Sequence, residues 1–244
     1  MRRLATAALR WHNAAMQRVP APDHWSVSIV EQGHEREPVV VIDNFAPDPQ
    51  RWIDDAAFLS FAPIGPHYPG IRAEVPPPML ADLLAPLDPL IAEVFGEPAT
   101  EVLDAYYSLV TTPPHALAPI QRLPHFDGVE RERLALLHFL ARDERSGTAF
   151  YRHRSTGFET VDAGRLATYR AALDADLRRE GLPGPDYIAG DTAIFEEIAV
   201  HQGRFNRAIL YRSNTLHCAR LPADLALSAD PAAGRLTVNT FLTA

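Results

Sequence analysis

The sequence has a single cysteine, Cys218, and no lysine among its 244 residues. One cysteine cannot form an intramolecular disulfide and cannot supply a cysteine-rich zinc or iron–sulfur site. The 23 basic residues are therefore all arginines, and they are scattered along a chain whose formal net charge is −8. Proteins that bind nucleic acid usually show a basic excess or a basic stripe. This charge balance argues against a nucleic-acid partner.

Long hydrophobic runs are also missing. No stretch approaches the roughly 18 to 20 uncharged apolar residues that a membrane span needs. The N-terminus begins with apolar residues, but Arg10 and His12 interrupt them, which favours a short amphipathic helix over a secretion signal. We therefore expect a soluble, cytoplasmic protein that has no membrane partner.

The chain is long enough to bury a full core, because 47% of its 244 residues are hydrophobic and 22% are charged. No internal repeat, low-complexity tract or linker divides it. We predict a single domain over residues 1–244. Within it, residues 1–100 would form supporting helices and strands, and residues 101–244 would form a β-rich core.

Short β-branched and apolar segments bounded by turn residues dominate the second half of the chain, which is typical of a sandwich or jelly roll. Apolar residues at helical spacing predict three flanking helices, the second of them broken near Pro86 and Pro89. The predicted helices are 48–59, 76–95 and 163–180, and the predicted strands are 38–43, 102–111, 134–141, 148–153, 158–161, 191–200, 208–212 and 235–242.

The triplet His125-Phe126-Asp127 places an imidazole and a carboxylate two residues apart, so on an extended segment both side chains project to one face. His217, which follows an apolar strand and a polar turn, offers a second imidazole. Two histidines and a carboxylate that leave positions open are the known ligand set for non-haem iron(II). Taken singly, His125 and Asp127 would more often belong to a surface loop, and His217 to a turn or cap.

Arg235-Leu236-Thr237 lies on the last predicted strand. An arginine followed two positions later by a hydroxyl residue puts a carboxylate clamp and a hydrogen-bond donor on one face of a strand, which suits a dicarboxylate. The alternative is an edge-strand arginine in solvent. The apolar residues Leu236, Val238 and Phe241 disfavour it, since they indicate a strand that is at least half buried.

The order of these three motifs resembles the signature of iron(II)- and 2-oxoglutarate-dependent oxygenases of the prolyl-hydroxylase and phytanoyl-hydroxylase kind, over residues 100–244. The resemblance implies a double-stranded β-helix, that is, a cupin-like jelly roll, mainly β with flanking helices. It implies that His125, Asp127 and His217 bind Fe(II), and that Arg235 and Thr237 bind the distal carboxylate of the cosubstrate 2-oxoglutarate. No further catalytic residue is implied.

In related enzymes a tyrosine on the strand before the His-x-Asp triplet also touches that carboxylate. Strand alternation lets only one of Tyr106 and Tyr107 face the site, and we assign Tyr107. The alternative for Tyr107 is an aromatic residue that fills the core. The segment 112–124, with four prolines, is longer than the resemblance leads us to expect, and it could serve as a substrate lid.

The wider chain also resembles an uncharacterised bacterial family that is associated with neighbourhoods of flavin-dependent tryptophan halogenases. That family contributes no activity to the interpretation. The residues that carry this resemblance include Pro124-His125-Phe126-Asp127, the segment Gly147 to His153, and Phe205-Asn206-Arg207.

The function implied by the resemblance is a dioxygenase that hydroxylates a small molecule, an amino acid or a peptide residue. Asp127 favours hydroxylation over halogenation, because related halogenating enzymes have a small residue at that position. A binding or scaffold protein that retains the metal or 2-oxoglutarate site without turnover is the alternative. A cupin-like metalloenzyme without a keto acid is disfavoured by Arg235 and Thr237. The substrate and the existence of a homodimer stay open.

Three other residues have structural interpretations. His138 lies within an apolar strand, where a buried and hydrogen-bonded core histidine is expected. His153 ends a predicted hairpin strand, which favours a solvated position. Cys218 directly follows His217, so its thiol should face away from the proposed site and be buried.

Overall fold

The computed structural model describes residues 21–65, 67–96 and 101–243. The amphipathic helix expected at the N-terminus lies outside these residues. The helices within them are α1 (Pro49–Ala57), α2 (Pro77–Leu84), α3 (Asp88–Phe95) and α4 (Leu166–Glu180). The strands are β1 (Ser26–Gln32), β2 (Glu37–Asp43), β3 (Gly70–Glu74), β4 (Glu101–Val110), β5 (Leu134–Phe139), β6 (Gly147–His153), β7 (Phe195–Gln202), β8 (Arg207–Arg212), β9 (His217–Arg220) and β10 (Leu236–Thr243).

The strands form two antiparallel sheets. One has seven strands in the order β1-β2-β8-β5-β10-β4-β3, and the other has three strands in the order β7-β6-β9. A bridge between His125 and His217 adds one more extended segment to the smaller sheet. From β4 to β10 the chain winds between four strands of one sheet and four segments of the other. This winding is the double-stranded β-helix, so the predicted fold class is confirmed.

Alternation along the strands separates an outer from an inner face of the larger sheet. Leu236 and Val238 of β10 pack outward against apolar residues of α1, α2 and α3. Thr237, between them, faces the smaller sheet. Across this inner space, residues of β5 and β8 form one cluster with Phe150 of β6. The three helices thus cover the outer face and leave the inner face available for a site.

The flanking helices begin and end where local signals predict. The Asp48 carboxylate accepts a hydrogen bond from the Arg51 amide at 3.2 Å, and Pro49 occupies the first turn of α1. The predicted helix over 76–95 is divided into α2 and α3 by a 3-10 turn that contains Pro86. Gly96 ends α3 in the left-handed conformation, with φ of 76°. No helix among the described residues combines the length and the apolar character needed to cross a membrane.

Two local predictions are wrong. The strand predicted over 158–161 is reduced to an isolated bridge between Thr160 and Thr215. His153 is fully buried instead of solvated, and its Nε2 lies 3.1 Å from Asp176 of α4. The reason is that α4 packs over the outer face of the smaller sheet and covers the end of β6, with Tyr169 against the His153 ring.

Candidate metal centre

The backbone brings His125 and His217 to opposite positions on neighbouring segments. The His125 amide donates to the His217 carbonyl at 2.9 Å, and the His217 amide donates to the His125 carbonyl at 2.8 Å. Such a mutually bonded antiparallel pair places both side chains on the same face. The Asp127 amide donates to the Ser213 carbonyl at 2.8 Å, which fixes the third side chain two residues further along.

The side chains of His125, Asp127 and His217 converge. His125 Nε2 lies 3.6 Å from Asp127 Oδ1, and His217 Nε2 lies 3.3 Å from Asp127 Oδ2. One potential ligand atom from each residue lies within 4.8 Å of the other two. His217 is 7% exposed, Asp127 22% and His125 48%, so the cluster opens to solvent on the His125 side. The structure therefore assembles the three residues predicted from their separate motifs.

The hydrogen bond of His217 determines which of its nitrogens is free. Its Nδ1 lies 2.9 Å from the Thr215 carbonyl oxygen. Because a carbonyl oxygen only accepts, Nδ1 carries a proton, and in the neutral ring the Nε2 lone pair points toward Asp127. A lone pair that faces a carboxylate at 3.3 Å is repulsive unless a cation lies between them or Nε2 is protonated. A carbonyl that orients a ligand histidine in this way is common in metal sites.

The electrostatics of the cluster favour the metal-binding protonation states. Although the His125 side chain is 48% exposed, the protein around its ring partly desolvates it, and this desolvation, with His217 as the next cause, lowers its pKa to about 4. Burial acts to raise the pKa of Asp127, but His217, His125 and Arg72 outweigh it and hold that pKa at about 2. At neutral pH the imidazole of His125 is thus uncharged and the carboxylate is ionised, as metal binding requires.

Arg235 lies just before β10 and is buried, with 5% of its surface exposed. Its Nε donates to the Ser146 hydroxyl at 3.2 Å, and its Nη2 donates to the Gly147 carbonyl at 3.0 Å. Both partners are neutral, and among the described residues no carboxylate pairs with Arg235. A buried guanidinium without a counter-charge is costly unless an anion occupies the cavity.

Thr237 shares the inner face of β10 with Arg235 and is 1% exposed. Its hydroxyl donates to Asn239 Oδ1 at 2.8 Å, so its lone pairs remain free but its proton is engaged. The predicted donor of Thr237 is therefore already used in this structure. Near Arg235, the hydroxyls of Tyr68, Ser108 and Thr148 are buried, and the side chains of Tyr68 and Ser108 interact with each other.

The assignment of Tyr107 to the site needs correction. Tyr107 pairs with Val238 of β10 and shares its outward direction. It is fully buried in the helix-covered core, where its hydroxyl lies 3.8 Å from the Met79 sulfur. Tyr106 has the inward direction instead, and its hydroxyl donates to Asp104 Oδ1 at 3.2 Å. Alternation along β4 does place one tyrosine on each face. Which of the two faces the site depends on which face of the sheet the helices cover.

Arg72 is a site residue that the motifs did not reveal. It lies on β3, outside the double-stranded core, and pairs in register with Ser108 of β4. Ser108 in turn pairs with Thr237, so Arg72 belongs to the inner face. Its charge contributes to lowering the pKa of both His125 and Asp127. No motif spacing in the sequence connects Arg72 to the three proposed ligands.

Comparison with protein families places these residues in a known group. A model of a family of unknown function, DUF6445, matches residues 23–242. The chain belongs to DUF6445. No curated protein matches this DUF6445 sequence.

Solved structures similar to this DUF6445 chain share little sequence with it. The non-heme alpha ketoglutarate dependent epimerase SnoN from nogalamycin biosynthesis is 10% identical, with a TM-score of 0.49, over 86% of this chain and 79% of that one. HygX from Streptomyces hygroscopicus, with nickel, 2-oxoglutarate and hygromycin B bound, is 14% identical, with a TM-score of 0.47, over 84% and 82%. EctD from S. alaskensis with bound Fe is 15% identical, with a TM-score of 0.46, over 86% and 73%.

Because these sequence identities are low, the chemistry of the DUF6445 chain has to be argued from its own residues. His125, Asp127 and His217 offer two imidazole nitrogens and one carboxylate oxygen on one side of a point that is open on the other. Rings of Tyr211 and Phe150 lie 5.0 and 6.1 Å from the His217 ring and form an apolar wall beside it. Such a site can hold a divalent cation and leave coordination positions for ligands that enter from the cavity.

Proposed function

We propose that this chain is an iron(II)- and 2-oxoglutarate-dependent dioxygenase that hydroxylates a small molecule, an amino acid or a peptide residue. One observation carries the proposal: His217, whose Nδ1 is engaged by the Thr215 carbonyl, brings its Nε2 to 3.3 Å from the Asp127 carboxylate, beside a second imidazole. A divalent cation bound here would be coordinated by these atoms together. His125, Asp127 and His217 are the proposed ligands.

The surroundings of Arg235 also suit the cosubstrate. A guanidinium has five N–H donors, and Arg235 uses two of them on Ser146 and Gly147. Three donors remain, on Nη1 and Nη2, which is enough for a paired contact with a carboxylate. The buried hydroxyls of Tyr68, Ser108 and Thr148 add polar groups that a bound dicarboxylate can contact. We assign Arg235 and Thr237 to this subsite.

When bound, iron and 2-oxoglutarate supply the oxidising chemistry, in which dioxygen oxidises the keto acid to succinate and carbon dioxide and one oxygen atom enters the substrate. The chain contributes position and exclusion of water. Tyr211 is buried on the inner face, where burial and the charge of Asp127 raise its pKa strongly and the charge of Arg235 acts to lower it. Its ring and that of Phe150 pack edge to face, with centroids 5.0 Å apart, and close one wall of the cavity.

The test is an anaerobic titration of the purified protein with Fe(II) and 2-oxoglutarate, monitored for the weak visible charge-transfer band of a chelated keto acid. We expect the band in the wild type and in His201→Gln, and its loss in His217→Gln. His201 is a matched control, because it also lies on the inner face, beside Phe150, but outside the triad. Circular dichroism establishes that each variant is folded.

A second measurement separates turnover from binding. Admission of oxygen to the loaded protein should yield succinate, and a folded protein that shows the band without succinate would be the non-catalytic binding protein instead. No band in folded wild type would refute the proposed cofactor chemistry. The association with tryptophan halogenase neighbourhoods, the cytoplasmic compartment, the single-domain division and the kind of substrate stay predictions.

A further inference from the structure

Arg72 is a second inward-facing arginine that makes no ion pair within the described part of the chain. Its neighbour Ala73 packs into the outer core, so the Arg72 side chain projects into the inner space with Ser108. Its Nε is buried without a hydrogen-bond partner, and among the described residues its guanidinium makes no ion pair and no side-chain hydrogen bond. Burial lowers its pKa, and the partial compensation comes from the fields of Tyr68 and Asp127. The group therefore has several donors available for a ligand.

Two tyrosine rings hold this guanidinium in place. Arg72 Cζ lies 4.0 Å from the centroid of the Tyr68 ring and 5.4 Å from that of the Tyr106 ring. Stacking of this kind fixes the plane of the guanidinium and leaves its N–H edge free. Asp104, which is exposed, already accepts the Tyr106 hydroxyl at the rim. Arg72 is thus an ordered donor group and not a solvated surface cation.

Arg72 and Arg235 approach the site from different elements. Arg72 comes from β3 at the edge of the larger sheet, and Arg235 from the start of β10. The Tyr68 ring contacts the Arg72 guanidinium, and the charges of both arginines act to lower the pKa of Tyr68, which burial raises. The charge of Arg72 also acts to lower the pKa of Asp127 and of His125. Arg72 therefore belongs to the electrostatic surroundings of the proposed metal ligands.

Charge balance indicates what Arg72 is for. With a divalent cation bound, the single charge of Asp127 and the two charges of 2-oxoglutarate leave the recessed groups with one positive charge in excess; the exposed Asp104, at the rim, also acts on Arg72 but lies in solvent. An uncompensated charge in a recessed site is unfavourable unless a further anion enters. The cosubstrate is already satisfied by the metal and Arg235. The remaining anion would come from the molecule that is to be oxidised.

We propose that Arg72 is a specificity-determining residue that binds a carboxylate of the substrate, stacked between Tyr68 and Tyr106, so that the substrate class is a carboxylic acid or free amino acid. This inference rests on the proposed function for its metal and cosubstrate. A carboxylate held on Arg72 would orient the rest of the substrate toward the open side of the triad, where His125 is exposed.

The experiment uses acetate as the probe for the carboxylate. Mn(II)-loaded protein is saturated with 2-oxoglutarate, and the nuclear relaxation of 13C-labelled acetate is measured as acetate is added. We expect a saturable paramagnetic enhancement in the wild type, and a loss of acetate affinity of about tenfold or more in Arg72→Gln. Arg72→Lys should retain part of the effect. Arg142→Gln is the matched control, because Arg142 also stacks on an aromatic ring, 3.7 Å from the Phe205 centroid, on the exterior.

Calorimetry of 2-oxoglutarate binding separates the two arginines. Arg72→Gln should leave the affinity for 2-oxoglutarate within about threefold of the wild type, whereas Arg235→Gln should weaken it by about 30-fold or more. Three outcomes would each overturn the inference: the wild type does not bind acetate, Arg72→Gln binds acetate as well as the wild type does, or both variants lose the same affinity for 2-oxoglutarate. Failure of Mn(II) or 2-oxoglutarate to bind refutes the proposed function itself. In that case acetate is titrated calorimetrically into the metal-free protein. A loss of acetate affinity in Arg72→Gln would still identify an anion site at Arg72.

Discussion

Replacement of Arg235 by methionine provides a quantitative test of the cosubstrate subsite. Methionine keeps much of the side-chain length but removes the charge and all five donors. Of those donors, Ser146 and Gly147 use two, and three remain for a ligand. Loss of one partner of a buried, charge-assisted contact costs about 2 to 5 kcal/mol. The affinity for 2-oxoglutarate should therefore fall about 30- to 4,000-fold.

Lysine at the same position gives an intermediate result for a structural reason. Arg235→Lys keeps the charge but has only three donors, and Ser146 and Gly147 would take two of them. One donor would remain for the carboxylate in place of a pair. We expect a loss of about tenfold, which corresponds to about 1.4 kcal/mol.

The assay is isothermal calorimetry of 2-oxoglutarate into Ni(II)-loaded protein, together with urea unfolding of the metal-free variants. Because Arg235 has only neutral partners, Arg235→Met should change the free energy of unfolding by less than about 2 kcal/mol, as two lost hydrogen bonds offset a relieved desolvation cost. A folded Arg235→Met variant that binds 2-oxoglutarate within about threefold of the wild type would refute the reasoning.

Three further outcomes follow from the packing. Tyr107→Phe should leave the free energy of unfolding within about 1 kcal/mol of the wild type and the 2-oxoglutarate affinity unchanged, whereas Tyr107→Ala should cost about 3 to 5 kcal/mol in urea unfolding. A reduced 2-oxoglutarate affinity in Tyr107→Phe would return Tyr107 to the site. Burial lowers the pKa of His138 to about 4, below its unfolded value of 6.5. The free energy of unfolding should therefore fall by about 1.4 kcal/mol per pH unit as the pH is lowered from 6.5 to 4, because only the unfolded chain is protonated at this residue in that range. His138→Asn should flatten that slope. Gly70→Ala would place Cβ 1.9 Å from the Leu109 carbonyl oxygen, so we expect about 1 to 3 kcal/mol of destabilisation and weaker acetate binding at Arg72. A variant with the stability and the acetate affinity of the wild type would contradict this close approach of β3 and β4.

The fold was predictable because most of its strands carry strong local patterns. Four of the strands from residue 134 onward, β5, β6, β8 and β10, begin within one residue of their predicted positions. β7 begins at Phe195 rather than at residue 191, and β9 has no predicted counterpart. β1 and β3 were not predicted, because an edge strand that is half exposed lacks a continuous apolar run. The triad motifs were recognisable because His125 and Asp127 share a face by strand geometry alone.

The rest of the site depends on tertiary contacts. Tyr106 and Tyr107 alternate in any strand, but only the packing of α1 to α3 on one sheet face decides which of them points outward. Arg72 lies 53 residues before His125 and reaches it only through the pairing of β3 with β4. His153 is buried by α4, which follows it in the chain by more than ten residues. Neither contact leaves a short-range signal.

The mutual backbone bridge of His125 and His217 joins positions that are 92 residues apart in the chain. A metal ion shared by these two side chains would act as a reversible cross-link that closes this loop in the same way as a disulfide. For a loop of about that length the lost chain entropy of the unfolded state is worth about 4 to 5 kcal/mol. In a protein whose one cysteine cannot form such a link, occupancy of the metal site would also set how often the barrel opens, and so its resistance to proteolysis.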